Sequence, residues 1–132
     1  KAVATTHPRP RPAMYFPPRE LEVMSILWRR GSATVAEVRA DLEDTIAYTS
    51  VLSALQTLEE KDCVRHEPEG RAYRYFPTVD ARRAGKSALA RIREAIFEGS
   101  AERMFAQLVA DRRISHEELE RMQRLISERL ER

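Results

Sequence analysis

The 132-residue chain of 15.3 kDa has the size of one domain, or of one compact domain with an oligomerisation arm. The composition, with 42% hydrophobic and 33% charged residues, is typical of a helix-rich globular protein. The sequence has a single cysteine (Cys63), no apolar run near the ~20 residues of a membrane span and no signal-peptide core. These features predict a cytoplasmic protein without membrane insertion. The net charge of +2 argues neither for nor against a nucleic-acid partner, because its parts differ: +3 for residues 1–18, −4 for residues 19–80 and +3 for residues 81–132.

Residues 1–18 contain five prolines: Pro8, Pro10, Pro12, Pro17 and Pro18. Proline removes backbone donors and disfavours helix in the residue before it, so this stretch is predicted to be a flexible or polyproline-like arm. Because the chain begins with Lys1, we expect Met14 to be the native start, and residues 1–13 are left out of the fold prediction.

Two helices are predicted next. The first begins at Pro18, ends at Gly31 and has this apolar stripe: Leu21, Met24, Leu27 and Trp28. The second opens with Thr34 and Glu37, the spacing of a capping box. Its buried stripe is Val35, Val38 and Leu42.

A third helix follows, and both of its faces are informative. The apolar face consists of Ala47, Val51, Ala54, Leu55 and Leu58. The opposite face carries Tyr48, Thr49, Ser50, Ser53 and Thr57. Short hydroxyl side chains near a helix N-terminus can bind phosphates or reach base edges in a major groove. An ordinary solvated face is the alternative, since no Lys or Arg stands on this strip.

A β-hairpin is predicted around the turn tripeptide Pro68-Glu69-Gly70. Its second strand alternates, with Arg71, Tyr73 and Tyr75 on one face. The basic residues near the turn are Arg65, His66, Arg71 and Arg74. Basic residues on a protruding wing can grip DNA backbone or minor groove; the alternative is a solvated hairpin whose tyrosines cover the core. Three helices and a hairpin describe a winged helix-turn-helix domain over residues 19–79.

Residues 80–132 are predicted to form three more helices, capped by Asp80, Ser100 and Ser115. Their apolar faces have no evident surface to cover them, which favours a homodimer, although folding back onto the winged helix is the alternative. The predicted dimerisation residues are Leu89, Ile92, Ile96, Met104, Phe105, Leu108, Leu119, Met122 and Ile126. The fold class is therefore mainly α with a small β-hairpin wing, plus a C-terminal helical dimerisation arm.

The sequence offers no catalytic signature. Its histidines are scattered, its 4 glycines form no phosphate loop, and Cys63 at the end of the third helix is predicted to be a small buried hydrophobe. We therefore expect no enzyme activity, no metal site and no cofactor.

The segments LEVMSILWRRGSATVAEVRADL and IAYTSVLSALQTLEEKDCVRHEPEGRAYRYFPTVD resemble the penicillinase-repressor family (BlaI/MecI/CopY type) of transcriptional regulators. The most specific parts are Leu27-Trp28, Ala47-Tyr48-Thr49, Leu55 to Lys61, and Glu69 to Tyr75. The resemblance implies a homodimeric repressor that binds a palindromic double-stranded operator and blocks transcription, with β-lactam-resistance genes as candidate targets. It implies major-groove contacts from Thr49, Ser50 and Ser53, and a wing tip at Gly70-Arg71.

Family members are released by a membrane sensor-protease pathway or, in the copper branch, by a C-terminal cysteine cluster. This chain has no such cluster, and Gln107-Leu108 is the nearest match to the family's cleavage bond, which makes it the candidate regulatory cleavage site. Two further departures are Thr57 where an arginine is common and Asp62 where a glycine is usual. A winged-helix protein–protein interaction module without specific DNA binding is the alternative function, favoured by the −4 charge of residues 19–80.

Overall fold

The computed structural model describes residues 14–43 and 45–132; residues 1–13 of the predicted arm lie outside them. The helices are α1 (Pro18–Arg30), α2 (Val35–Asp41), α3 (Tyr48–Glu60), α4 (Ala81–Ala95), α5 (Ala101–Val109) and α6 (His116–Leu130). The strands are β1 (Ala33–Thr34), β2 (Val64–Glu69) and β3 (Ala72–Pro77). The predicted fold class, mainly helical with a small wing, is confirmed.

Helix α1 begins and ends where its sequence predicts. Pro18 occupies the first turn, and Gly31 ends the helix at φ 87°, with its amide donating to the Leu27 carbonyl at 2.8 Å. The predicted apolar stripe is rotated, however. Leu21 is 45% exposed, and Val23 and Ile26 are buried in its place.

The start of α2 is the predicted capping box. The Thr34 hydroxyl accepts from the Glu37 amide at 3.2 Å, and the Glu37 carboxylate accepts from the Thr34 amide at 3.0 Å. Val35 and Val38 are buried below it. This short helix is therefore fixed at its first turn.

Helix α3 ends in a Schellman motif with an unusual residue. The Cys63 amide donates to the Leu58 carbonyl at 2.9 Å and the Asp62 amide to the Glu59 carbonyl at 3.0 Å. Asp62 has φ 61°, the left-handed conformation that glycine adopts most easily. The chain therefore keeps the same turn at position 62, where the family usually has glycine, and the aspartate there adopts a strained conformation.

The wing is a three-stranded antiparallel sheet in the order β1-β3-β2, so β2 is an edge strand. Pro68 lies within β2 opposite Tyr73, where an edge strand tolerates a missing donor, and the prediction that it forms part of the turn is wrong. The turn is Gly70-Arg71, with Gly70 at φ 60° in the first position, as a type II′ hairpin requires. The two-residue strand β1 was not predicted.

One apolar core joins the three helices to the sheet. Met24, Leu27, Leu55 and Leu58 are fully buried in it, and Cys63, at 5% exposure, is the small buried residue that the sequence predicted. Phe16 packs edge-on against Trp28, and the Trp28 indole donates to the Val79 carbonyl at 2.8 Å. Phe16 therefore packs against the core, within the stretch whose composition predicted an arm through residue 18.

The chain divides into two compact units, with the division between Ala88 and Leu89, inside α4. The predicted domain boundary between residues 79 and 80 stays a prediction. In the second unit the predicted caps are present: the Ser100 hydroxyl accepts from the Arg103 amide and the Ser115 hydroxyl from the Glu118 amide. None of the described helices combines the length and apolar character that crossing a membrane requires.

Candidate nucleic-acid interface

The exposed face of α3 is fixed by what the opposite face buries. Val51, Leu55 and Leu58 are fully buried, which sets the rotation of the helix. The five residues of this helix that are predicted to contact DNA therefore point away from the core. Tyr48 is 44% exposed, Thr49, Ser50 and Ser53 are exposed, and Thr57 is half-buried.

The N-terminus of α3 has no side-chain cap. Ala47 occupies the N-cap position with φ −69° and ψ 144°, and a methyl group cannot accept from the first-turn amides. Helix α2 and helix α5, in contrast, are capped by Thr34 and Ser100. The first turn of α3 thus leaves amide donors and the positive end of the helix dipole for an external acceptor.

Arg71 forms the tip of the wing. It follows Gly70 in the two-residue turn, its side chain is exposed, and within residues 14–43 and 45–132 it makes no ion pair. A guanidinium that no internal carboxylate neutralises is suited to contact a phosphate.

Arg65 is also exposed but has partners within the hairpin. Its guanidinium bonds to the Glu67 carboxylate and lies over the Phe76 ring, 4.3 Å from the centroid. Its partners both belong to the wing, so Arg65 does not connect the hairpin to another element.

Arg74 has different surroundings from the other wing arginines. Its guanidinium bonds to Glu69, the last residue of β2, and to Glu37 of α2. These two carboxylates raise the pKa of Arg74, and its side chain is only 23% exposed. The sequence carries a signal for this difference between the two arginines, because strand alternation places Arg74 on the face opposite Arg71.

Sequence reasoning missed the contacts that join the wing to α3. His66 on β2 places its Nδ1 atom 2.8 Å from both carboxylate oxygens of Glu59, near the end of α3. The His66 ring also packs against Tyr73 and Tyr75, at 4.6 and 5.6 Å between centroids. Burial raises the pKa of the Tyr75 hydroxyl, so this residue serves the core. The His66–Glu59 contact therefore joins the wing to the C-terminal end of α3.

Six of the nine predicted dimerisation residues are exposed, and the other three are half-buried. No residue of α5 or α6 is buried, and Leu89, Ile96, Phe105 and Leu108 are each at least 40% exposed. Ile92 and Ile126 are exposed as well, while Met104, Leu119 and Met122 are half-buried. The candidate cleavage bond Gln107-Leu108 lies inside α5 with both residues exposed.

No three His, Cys, Asp or Glu side chains come together as a metal site in the part of the chain that the structure describes. The thiol of Cys63 is buried, which raises its pKa and leaves it a packing residue.

Comparison with known proteins gives the family. The penicillinase repressor family model matches residues 16–128. The penicillinase repressor of Bacillus licheniformis is 33% identical over 63 residues, 46% of this chain and 49% of that protein, so the match spans about half the relative's length. One solved structure that matches is the DNA binding domain of the repressor BlaI, with 31% identity, 50% of this chain and 83% of that chain covered, and a TM-score of 0.46. Another is the CopR repressor, with 31% identity, 46% of this chain and 90% of that chain covered, and a TM-score of 0.41. The resemblance noted in the sequence is confirmed: the chain belongs to the penicillinase repressor family.

Proposed function

We propose that the chain is a DNA-binding transcriptional repressor, which binds a palindromic operator as a homodimer in the cytoplasm and blocks transcription by competing with polymerase. No chemistry on the protein is required for this action. The observation that carries the proposal is the uncapped, hydroxyl-bearing face of α3. It is accompanied by Arg71 at the wing tip, which has no ion pair among the described residues.

In this proposal α3 reads the sequence. Thr49, Ser50 and Ser53 are short, so the helix backbone can approach the base edges in a major groove. Tyr48 and Thr57 flank them at the two ends of the strip.

The wing holds the DNA backbone. Arg71 is the proposed phosphate contact at its tip, and Arg65 lies further down the same hairpin. Phosphate contacts fix register and orientation but carry no sequence information directly.

The homodimer is supported by the apolar faces of α4, α5 and α6. Moving a large apolar side chain from full exposure to full burial is worth about 1.5–3 kcal/mol. The side chains here are partly exposed, so each would gain a fraction of that value, and together they favour association with a second copy. Two-fold symmetry in the protein then matches two-fold symmetry in the operator.

Release through a membrane sensor-protease pathway is part of the proposal, with Gln107-Leu108 as the bond cut and β-lactam-resistance genes as the targets. Because this bond lies within α5, cleavage requires local unfolding of the helix. Repressor release is therefore expected to depend on the stability of α5.

The protein–protein interaction module is the second candidate function. The −4 net charge of residues 19–80 favours it, because acidic surfaces repel DNA at low salt.

Titration with the promoter fragment of the chain's own gene and with a scrambled duplex tests the proposal. Arg71→Ala is expected to weaken binding to both duplexes and to reduce the slope of log affinity against log salt by about one for each wing tip, which is about two for the dimer. A double change, Ser50→Ala with Ser53→Ala, is expected to keep that slope and lower the preference for the promoter by at least about tenfold.

Equal, weak affinity of the unmodified chain for both duplexes would favour the interaction module. An unchanged salt slope in Arg71→Ala would remove the wing contact from the proposal.

A further inference from the structure

The guanidinium of Arg74 uses all three of its nitrogens inside the protein. Nε and Nη2 donate to the two carboxylate oxygens of Glu69 at 2.7 and 2.9 Å. Nη1 donates to Glu37 Oε1 at 3.1 Å and to the Ser32 hydroxyl at 3.2 Å, and Nη2 reaches Glu37 Oε2 at 3.4 Å. This is a two-sided fork–fork arrangement that lysine, with a single nitrogen, cannot reproduce.

The two carboxylates belong to different elements. Glu69 is the last residue of β2 and adjoins the Gly70-Arg71 turn. Glu37 is the reciprocal partner in the Thr34 capping box, so it is already fixed to the first turn of α2. Arg74 thus connects the base of the wing tip to the rigid start of a helix outside the wing.

The charges at this point do not suit a phosphate contact. Glu37 and Glu69 are carboxylates held ionised: the pKa of Glu37 is lowered first by the bond from Thr34 and then by Arg74, and that of Glu69 by Arg74. Two carboxylates around one guanidinium leave a net charge of −1, which repels DNA.

We infer that Arg74 is a positioning residue: its fork between Glu69 and Glu37 fixes the wing tip relative to α2, so that Arg71 meets the DNA backbone in one orientation. The inference rests on the proposed DNA-binding function and assigns Arg74 a different role from that of the phosphate contact predicted from the sequence.

Backbone order parameters of Gly70 and Arg71, measured by NMR relaxation on the DNA-free full chain, test the link itself. We expect order parameters of about 0.85 in the unmodified chain. In Arg74→Lys they are expected to fall below about 0.7, because lysine keeps the charge but cannot form the fork. Glu69→Gln breaks the same link from the other side and is expected to give the same loss of order.

Arg65→Lys is the matched control. It removes a guanidinium with a carboxylate partner from the same hairpin, but among the described residues Arg65 has no partner outside the wing. The order parameters of the tip are therefore expected to stay unchanged.

Titration of the promoter fragment completes the test. Arg74→Lys is expected to lower affinity by about three- to tenfold with an unchanged salt slope, since no phosphate contact is lost. A slope reduced by about one for each protomer would make Arg74 a direct contact and overturn the inference. Unchanged order parameters, or unchanged affinity with a mobile tip, would also overturn it. If the unmodified chain binds no DNA, the proposed function fails, and the order parameters alone decide whether Arg74 holds the wing.

Discussion

At the scale of single residues, the three arginines of the hairpin differ in what their guanidinium groups can contact. Arg71 is unpaired among the described residues, Arg65 is paired within the wing, and Arg74 is paired across two elements. Residue type alone predicted the same role for all three. Their partners separate them, because a side chain whose donors are all used inside the protein has none left for a phosphate.

Asp62 is a second residue whose surroundings lead to a prediction. It holds φ 61° at the end of α3, a conformation that costs a non-glycine residue about 1–2 kcal/mol, less for aspartate than for most. We expect Asp62→Gly to raise the free energy of unfolding by about 0.5–1 kcal/mol in a urea titration, because relief of strain exceeds the added chain entropy.

Asp62→Asn serves as the matched comparison and should lie between aspartate and glycine. A lower unfolding free energy for Asp62→Gly would show that the aspartate carboxylate stabilises the turn in some other way.

At the scale of elements, the missing cap of α3 predicts a conflict between stability and binding. Ala47→Asp supplies an acceptor for the first-turn amides and should raise the unfolding free energy by about 0.5–2 kcal/mol. The same carboxylate would occupy the donors proposed for phosphate, so DNA affinity is expected to fall by at least about tenfold.

Ala81→Asp is the charge control, since it adds the same carboxylate to the first turn of α4, outside the proposed contact residues. Its DNA affinity should change little. If Ala47→Asp gained both stability and affinity, the N-terminus of α3 would not face the DNA.

Most element positions could be predicted because their signals are local. The Thr34-Glu37 capping box, the Gly31 stop and the serine caps all depend on bonds between residues three or four apart. The predictions were wrong where packing between distant parts of the chain decides which residues are buried or paired. Leu21 satisfies helical spacing but lies outside the core, and β1 is too short for its two residues to show alternation.

The proposed contact surface was predictable in part for the same reason. Helical spacing placed Ser50 and Ser53 on one exposed strip, and glycine marked the tip of the wing. The His66–Glu59 pair and the Arg74 fork were not predictable, because they join residues from different elements whose register only the folded chain sets.

At the scale of the whole molecule, the exposed apolar side chains on the helices of residues 89–132 lead to a prediction about assembly. Phe105→Asp and Leu119→Asp place a charge on the proposed dimer face and are expected to give monomers in sedimentation or light-scattering measurements. Gln123→Asp, at an exposed polar position of α6, is the matched control and should stay dimeric. Dimers in both apolar-face variants would move the interface elsewhere.

The uneven charge also has a meaning at this scale. A homodimer presents two wing tips and two α3 faces to the DNA. The number of basic side chains that can contact phosphates is therefore doubled, while the acidic residues of each protomer can face away from the DNA. With a net charge of only +2 per chain, we expect weak non-specific binding and an affinity that depends on correct spacing of the two half-sites.

Selection from a random-sequence duplex library with the full chain tests the central claim most directly. The account predicts enrichment of a two-fold symmetric sequence whose half-sites lie about one helical turn, or a multiple of it, apart. It also predicts that the unmodified chain binds the enriched duplex as two copies and that Phe105→Asp loses most of that affinity. No enrichment, or an enriched sequence without two-fold symmetry that is bound by a single copy, would contradict a homodimeric repressor.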